Sequence, residues 1–396
     1  MSVNASKKIH DWIIIGGGIH GTHIAVRLLS QRKGRPLQIG IVDPNSCLLC
    51  NWKKQTASTK MKYLRSPSVH HLAPDPFALK KFAGKKPKNR RGKFSFPYHR
   101  PLLQFFNKHC ESLIEEYSLD NFHHAELIEN IEIQSDKIGL FTKNKTEFGS
   151  KKIILALGQS EELCVPEWAE KSSDHIFHIF SSDFGWDKIT TVNSIAVVGG
   201  GITAIQTALY AESIGIDVHL IIRHSLRKHQ FDSDPGWLGP KFMGRFSVER
   251  DYSKRRKMIS TSRNTGSLPP DLYSRVRSLA HSGRVHFHNN EIINCKENQD
   301  KVRLAFIDRQ SLEVDRVILA TGFEKIRPGG NMLSQLISRY HLPVAPCGFP
   351  IVDRTLAWHP MIHVSGSLAE LELGPIAKNI AGARVAADRI LSTQTG

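Results

Sequence analysis

Two stretches carry small residues at a spacing with a chemical use. Gly16, Gly18 and Gly21 follow the apolar run Trp12-Ile13-Ile14-Ile15, and Gly199, Gly201 and Ala204 follow Ser194-Ile195-Ala196-Val197-Val198. Each reads G-x-G-x-x-G/A. The first glycine permits a tight turn, the second lets backbone approach a pyrophosphate, and the third position needs a small residue for helix-on-strand packing. Free N–H groups and the dipole at the start of the following helix then favour negative charge. Two such cradles predict two dinucleotides. The strand "LQIGIVD" ends on Asp43, an acid able to accept hydrogen bonds from a ribose 2′-OH. The strand "DVHLIIRH" ends on Arg223 and His224, cations suited to a 2′-phosphate, which favours NADPH over NADH. A hydrogen bond to a charged group contributes about 1.5–3 kcal/mol, enough for a clear preference.

The elements that must position these residues are legible around them. Continuous apolar runs read as parallel strands buried on both faces, and residues 20–32 and 202–215 carry apolar side chains at helical spacing. Residues 126–158 and 291–322 repeat one pattern: strand, turn, alternating strand, polar turn, then an apolar strand entering A-x-G at Gly158 and Gly322. The expected class is α/β, each half having a βαβ unit, a β-meander and a final strand. A chain of 396 residues suits two domains, or three. No apolar run approaches the roughly 20 residues needed to cross a bilayer, and the first residues lack the apolar stretch of a leader, so a cytoplasmic location is expected. Cysteines at 47, 50, 110, 164, 295 and 347 do not form a secreted disulfide framework, and with Cys47 and Cys50 as the one close pair no metal site is expected. The formal charge is +17, with basic stretches at 80–93 and 250–257. These read as solvated loops or as surfaces for anions, nucleic acid or membrane included, although no zinc-finger spacing or RNA-binding aromatic signature accompanies them. The Gly/Pro-rich 232–244 reads as a long excursion that, with 262–273, covers the active site.

The ordered set GGGIHG (16–21), Asp43, GGGITA (199–204) and VILATGF (317–323) resembles the two-dinucleotide-binding-domain flavoproteins over nearly the whole chain. The resemblance implies two Rossmann-like domains, with an NAD(P)H-binding domain (190–318) inserted into a discontinuous FAD-binding domain (1–165 and 319–396). It implies that Gly366 follows the last FAD-domain strand and that a helix starting near Gly374-Pro375 points its N-terminus at the flavin. Within that group, residues 52–106 are similar to the flavin monooxygenases of the lysine/ornithine N-hydroxylating type. The implied activity takes hydride from NADPH onto FAD and, through a flavin C4a-hydroperoxide formed with O2, oxygenates a small N-, S- or carbonyl-containing substrate. The implied neighbours of flavin and substrate are Trp52, Met61 and Arg65, with Arg65 pairing a substrate carboxylate or surface acids. His178 is placed by the same resemblance near the nicotinamide path. The chain departs from the group in having no glycine in the expected place within "HIFHIFSSDFGW" (175–186). The alternatives are a disulfide reductase or oxidase, toward which Cys47-Leu-Leu-Cys50 points, and a flavoprotein of lost redox activity whose basic surface binds a partner. Gly366-Ser367, where disulfide reductases usually have Gly-Asp, counts against the reductase.

Overall fold

The computed structural model describes residues 9–31, 36–159, 162–169, 173–298 and 300–392. Residues 1–8, read above for a leader, and Arg32, read as the end of the first helix, lie outside them. The apolar run before the first glycine turn forms β1 (Ile9–Ile15), whose Ile13 and Ile14 are fully buried. α1 (Ile19–Ser30) follows directly, and β2 (Ile39–Asp43) returns parallel to β1 with Val42 opposite Ile15. Equal strand ends at that register bring Asp43 level with the glycine turn. The chain then runs through α2 (Cys50–Ser58) and α3 (Leu103–Glu116) to the edge strand β3 (His123–Ala125). A meander of β4 (Ile128–Ile133), β5 (Ile138–Thr142) and β6 (Glu147–Leu155) brings β6 parallel to the other side of β1.

The second unit repeats this plan. Its strands are β7 (Ile176–His178), β8 (Ser194–Val198) and, after α4 (Ile202–Ser213), β9 (Asp217–Ile222). The chain continues through β10 (Arg227–Lys228), α5 (Pro240–Val248), α6 (Tyr252–Ser262), β11 (Ser267–Leu268), α7 (Pro270–His281) and β12 (His286–Asn289). The meander β13 (Ile292–Asn298), β14 (Lys301–Phe306) and β15 (Ser311–Val314) leads into β16 (Arg316–Leu319). The sheet order is β12-β9-β8-β16-β7, parallel throughout. After α8 (Gly330–Tyr340), the hairpin β17 (Ala357–His359) and β18 (Ile362–Val364) rejoins the first sheet, and α9 (Ile380–Leu391) packs on α1. The first sheet therefore runs β17-β18-β6-β1-β2-β3 and takes strands from both ends of the chain. This is the inserted α/β arrangement of two parallel-sheet units that the resemblance implies.

Several local expectations change. The second sheet includes β7, which lies before residue 190. His286 and His288 stand on β12, the edge strand of that parallel sheet. Residues 232–244 are not a structureless excursion. Asp234 accepts from the Gly236 N–H at 2.7 Å, Pro240 opens α5, and Trp237 is buried with Phe246, Phe349, Leu371 and Ile376. The apolar side chains there had enough area to fold the segment onto the return half of the chain. Likewise 262–273 holds the end of α6, β11 and the start of α7. The second basic stretch is turned partly inward: Asp251 caps α6, and the buried Arg255 donates to the carbonyls of Ser247, Glu249 and Leu371. No helix among the described residues is long and apolar enough to cross a membrane.

Candidate cofactor and active site

Gly16 adopts φ +112°, a conformation reserved in practice for glycine, and its Cα faces the Ala156 carbonyl, leaving no room for a side chain. Gly21 is equally closed, against Gly16. Gly18 is the opposite case: a Cβ there would meet nothing within 4 Å. The turn thus has a packed back and an open front. Asp43 holds it from the side, its Oδ2 accepting the Gly17 N–H at 2.7 Å, while Oδ1 accepts from the Asn45 backbone and side chain. Gly158 has φ +76° and open space beside it, and Ser367 donates to its carbonyl. Gly366, at φ +68°, sits beside that carbonyl and His20. His20, which sequence reasoning passed over, is buried with Nδ1 2.8 Å from Ser365 Oγ, its ring lying against the Lys378–Asn379 backbone. Burial holds its imidazole down at about 4. Its position inside the G-x-G-x-x-G run was the signal for it.

The second turn has the same construction. Gly199 is at φ +140°, its Cα against the Ala320 carbonyl, and Ala204 is fully buried beneath it. Gly201 caps α4, and a Cβ on it would meet only Gly266 Cα at 3.9 Å. The His224 ring borders Gly200 and Gly266, and the Arg223 side chain is 78% exposed, 3.8 Å from Glu291. Gly322, at φ +86°, opens onto free space. His178 lies beside the Gly322 backbone; burial keeps it at about 4, and its Nδ1 accepts the Phe180 N–H at 3.2 Å. With Nδ1 an acceptor, the neutral ring carries its proton on Nε2. Cradles open at Gly18 and Gly201, set at helix N-termini, fit dinucleotide pyrophosphates.

The other candidates fall in separate neighbourhoods. Trp52 donates Nε1–H to Asn107 Oδ1 at 3.0 Å and tilts against Phe106. Met61 is half-buried against the first core. The Arg65 guanidinium is engaged by groups of the second unit. It donates to the carbonyls of His229, Gln230 and Phe231 and to Ser267 Oγ, at 2.7–3.0 Å. Those groups border β10 and β11 of the second unit. Arg100, only 5% exposed, adds a two-pronged pair to Asp271 at 2.6 and 3.0 Å. The bridge between Tyr63 and Leu102 holds the two arginine segments side by side. Gly374 and Pro375 form a short turn against Trp237, and α9 starts only at Ile380, so the helix expected at Gly374 is displaced by a turn. Arg263 closes that turn by donating to the Pro375 carbonyl at 2.7 Å.

The family model for pyridine nucleotide-disulphide oxidoreductases matches residues 10–234. The chain belongs to that family. A model described as FAD-NAD(P)-binding matches residues 271–324. No curated protein sequence matches the chain. Among solved structures, the FAD-bound cadaverine monooxygenase of the desferrioxamine pathway from Erwinia amylovora is 15% identical with TM-score 0.75, over 97% of this chain and 95% of that one. The ornithine N-hydroxylase of Kutzneria sp. 744, with reduced FAD, NADP+ and L-ornithine, is 16% identical with TM-score 0.74, over 98% and 99%. The bacillithiol disulfide reductase of Staphylococcus aureus is 15% identical with TM-score 0.61, over 98% and 99%. At such identities these likenesses show the fold. The family member described here is an FAD-dependent pyridine nucleotide oxidoreductase.

Proposed function

We propose that this chain is an NADPH-dependent flavin monooxygenase acting on a small N-, S- or carbonyl-containing substrate. Gly16, Gly18, Gly21, Asp43, Gly158 and Gly366 form its FAD cradle; Gly199, Gly201, Ala204, Gly322, Arg223 and His224 form its NADPH cradle. The observation that carries this reading is the pair of open glycine turns in one body, bound together by Arg65 and Arg100. FAD supplies acceptance of hydride from NADPH and activation of dioxygen. The protein supplies position. The N-termini of α1 and α4 face the pyrophosphates, Asp43 offers carboxylate oxygens to a ribose, and the exposed Arg223 meets a 2′-phosphate. The arginine clasp sets the two cradles relative to each other, and such orientation accounts for much of a hydride-transfer rate. His178, neutral with its proton on Nε2, stands beside the Gly322 turn of this cradle without adding a charge.

Similarity in fold to the cadaverine and ornithine oxygenases, closer than to the disulfide reductase, supports oxygenation of an amine. Gly366-Ser367, where disulfide reductases usually have Gly-Asp, speaks against the reductase reading. The test is to purify the protein with FAD, reduce it anaerobically with NADPH, and admit air with a panel of amines, sulfides and ketones. One class should yield oxygenated product in step with NADPH consumed. Turnover yielding only H2O2 with every substrate would assign an oxidase, and reduction of a disulfide substrate would assign a reductase.

A further inference from the structure

The Cys47–Cys50 pair has no part in the mechanism above, yet it stands against the first glycine turn. The four residues make one tight turn entering α2, with Leu49 at φ +61°. The ends of such a turn lie within about 7 Å, the span a disulfide covers. The two thiols are within hydrogen-bonding reach of each other, both free, Cys47 exposed and Cys50 half-buried. The residues between them are fixed to the cradle. Leu49 donates its N–H to the Gly17 carbonyl at 2.8 Å, and the Leu48 side chain lies 2.9 Å from where a Gly17 Cβ would stand. Gly17 is in turn the group that Asp43 holds. Whatever constrains the 47–50 turn constrains the wall of the cradle.

We infer that Cys47 and Cys50 form a reversible disulfide that couples oxidation to retention of the dinucleotide in the first cradle. The coupling rests on the FAD assignment proposed above. A hydroperoxide is the oxidant. Two S–H bonds break and one S–S bond forms, and the two electrons and two protons pass to the peroxide, whose O–O bond breaks to give two waters from H2O2. Because the turn already has its closed geometry, the bond removes open states without demanding new ones, and FAD leaves more slowly. A thiol reductant reverses the step.

The experiment uses the full chain with FAD, treated with H2O2 or with dithiothreitol. Peptide mapping after oxidation should find Cys47 linked to Cys50, with Cys110, Cys164, Cys295 and Cys347 unlinked to either. Release of FAD, followed by flavin fluorescence on dilution, should be about fivefold slower or more in the oxidised protein. Cys47→Ser and Cys50→Ser should each bind FAD and release it at one rate whatever the treatment. A missing link, or equal release from linked and reduced protein, overturns the inference and leaves the FAD assignment standing. Protein that takes up no FAD in either state overturns both.

Discussion

At the residue scale, Gly16 and Gly18 serve one turn for different reasons, and substitution should separate them. Gly16→Ala puts a Cβ into the Ala156 carbonyl at a φ that side chains rarely adopt. It should destabilise the fold by about 2 kcal/mol or more. Gly18→Ala meets open space at an ordinary φ of −76°. Its stability without cofactor should stay within about 1 kcal/mol of the parent, while FAD binding weakens tenfold or more because the methyl group occupies the approach to the pyrophosphate. Urea unfolding of apoprotein, with FAD titration of each variant, checks both; equal FAD affinity in Gly18→Ala would remove the cradle assignment. Arg223→Ala should lower the NADPH/NADH ratio of kcat/KM by about tenfold or more, and an unchanged ratio would overturn the 2′-phosphate role. The glycine turns and the place of Asp43 beside one of them were legible in sequence because a turn imposes its spacing locally. Arg65 was not. Its type fitted a carboxylate ligand, but its four partners come from residues 229–231 and 267, which only folding brings near.

At the element scale, the clasp joins the segment before α3 to β10, β11 and α7. Arg65→Ala should lower the rate of flavin reduction by NADPH by about 10–100-fold while changing neither cofactor's dissociation constant by more than about threefold, since orientation rather than binding is lost. Anaerobic stopped-flow reduction with separate binding titrations decides this. Equal loss in NADPH binding would make Arg65 a binding residue instead. The 3-10 turn Pro235–Leu238 and α5 show why a composition rich in Gly and Pro misled. Pro235 and Pro240 stand at the first positions of a 3-10 turn and a helix, where a missing N–H does no harm, and Trp237, Phe242 and Phe246 supply the apolar stripe. Periodicity over a few residues is a weak signal, and the face those rings cover, Phe349, Leu371 and Ile376, is more than 100 residues away in the chain.

For the whole molecule, the buried histidines set the response to acid. Burial holds His20, His71, His109, His178 and His363 at about 4 and His23 at about 3, against an ordinary 6.5. In the unfolded chain these rings protonate as pH falls through 6.5, whereas in the folded chain they stay neutral until about 4 or below, so the unfolded state binds the extra protons. Their stabilisation is complete above pH 6.5, is lost as pH falls from there toward 4, and levels off below. Urea midpoints should therefore fall steadily between pH 7 and 5, ahead of carboxylate titration. A midpoint unchanged over that range would mean these rings protonate without unfolding.

Sequence by itself determined the two βαβ units, their glycine turns and the paired dinucleotide cradles, because buried parallel strands and tight turns each constrain residues that are neighbours in the chain; the inserted order followed only from the family resemblance those motifs carry. Tertiary structure alone decided that Arg65 and Arg100 clasp the second unit, that Gly374-Pro375 opens a short 3-10 turn ahead of the helix at Ile380, that residues 232–263 fold onto the return segment, and that Leu48 and Leu49 brace the first cradle. Those outcomes depend on which surfaces meet across long separations, where the burial of apolar area and the pairing of buried charge outweigh local preference.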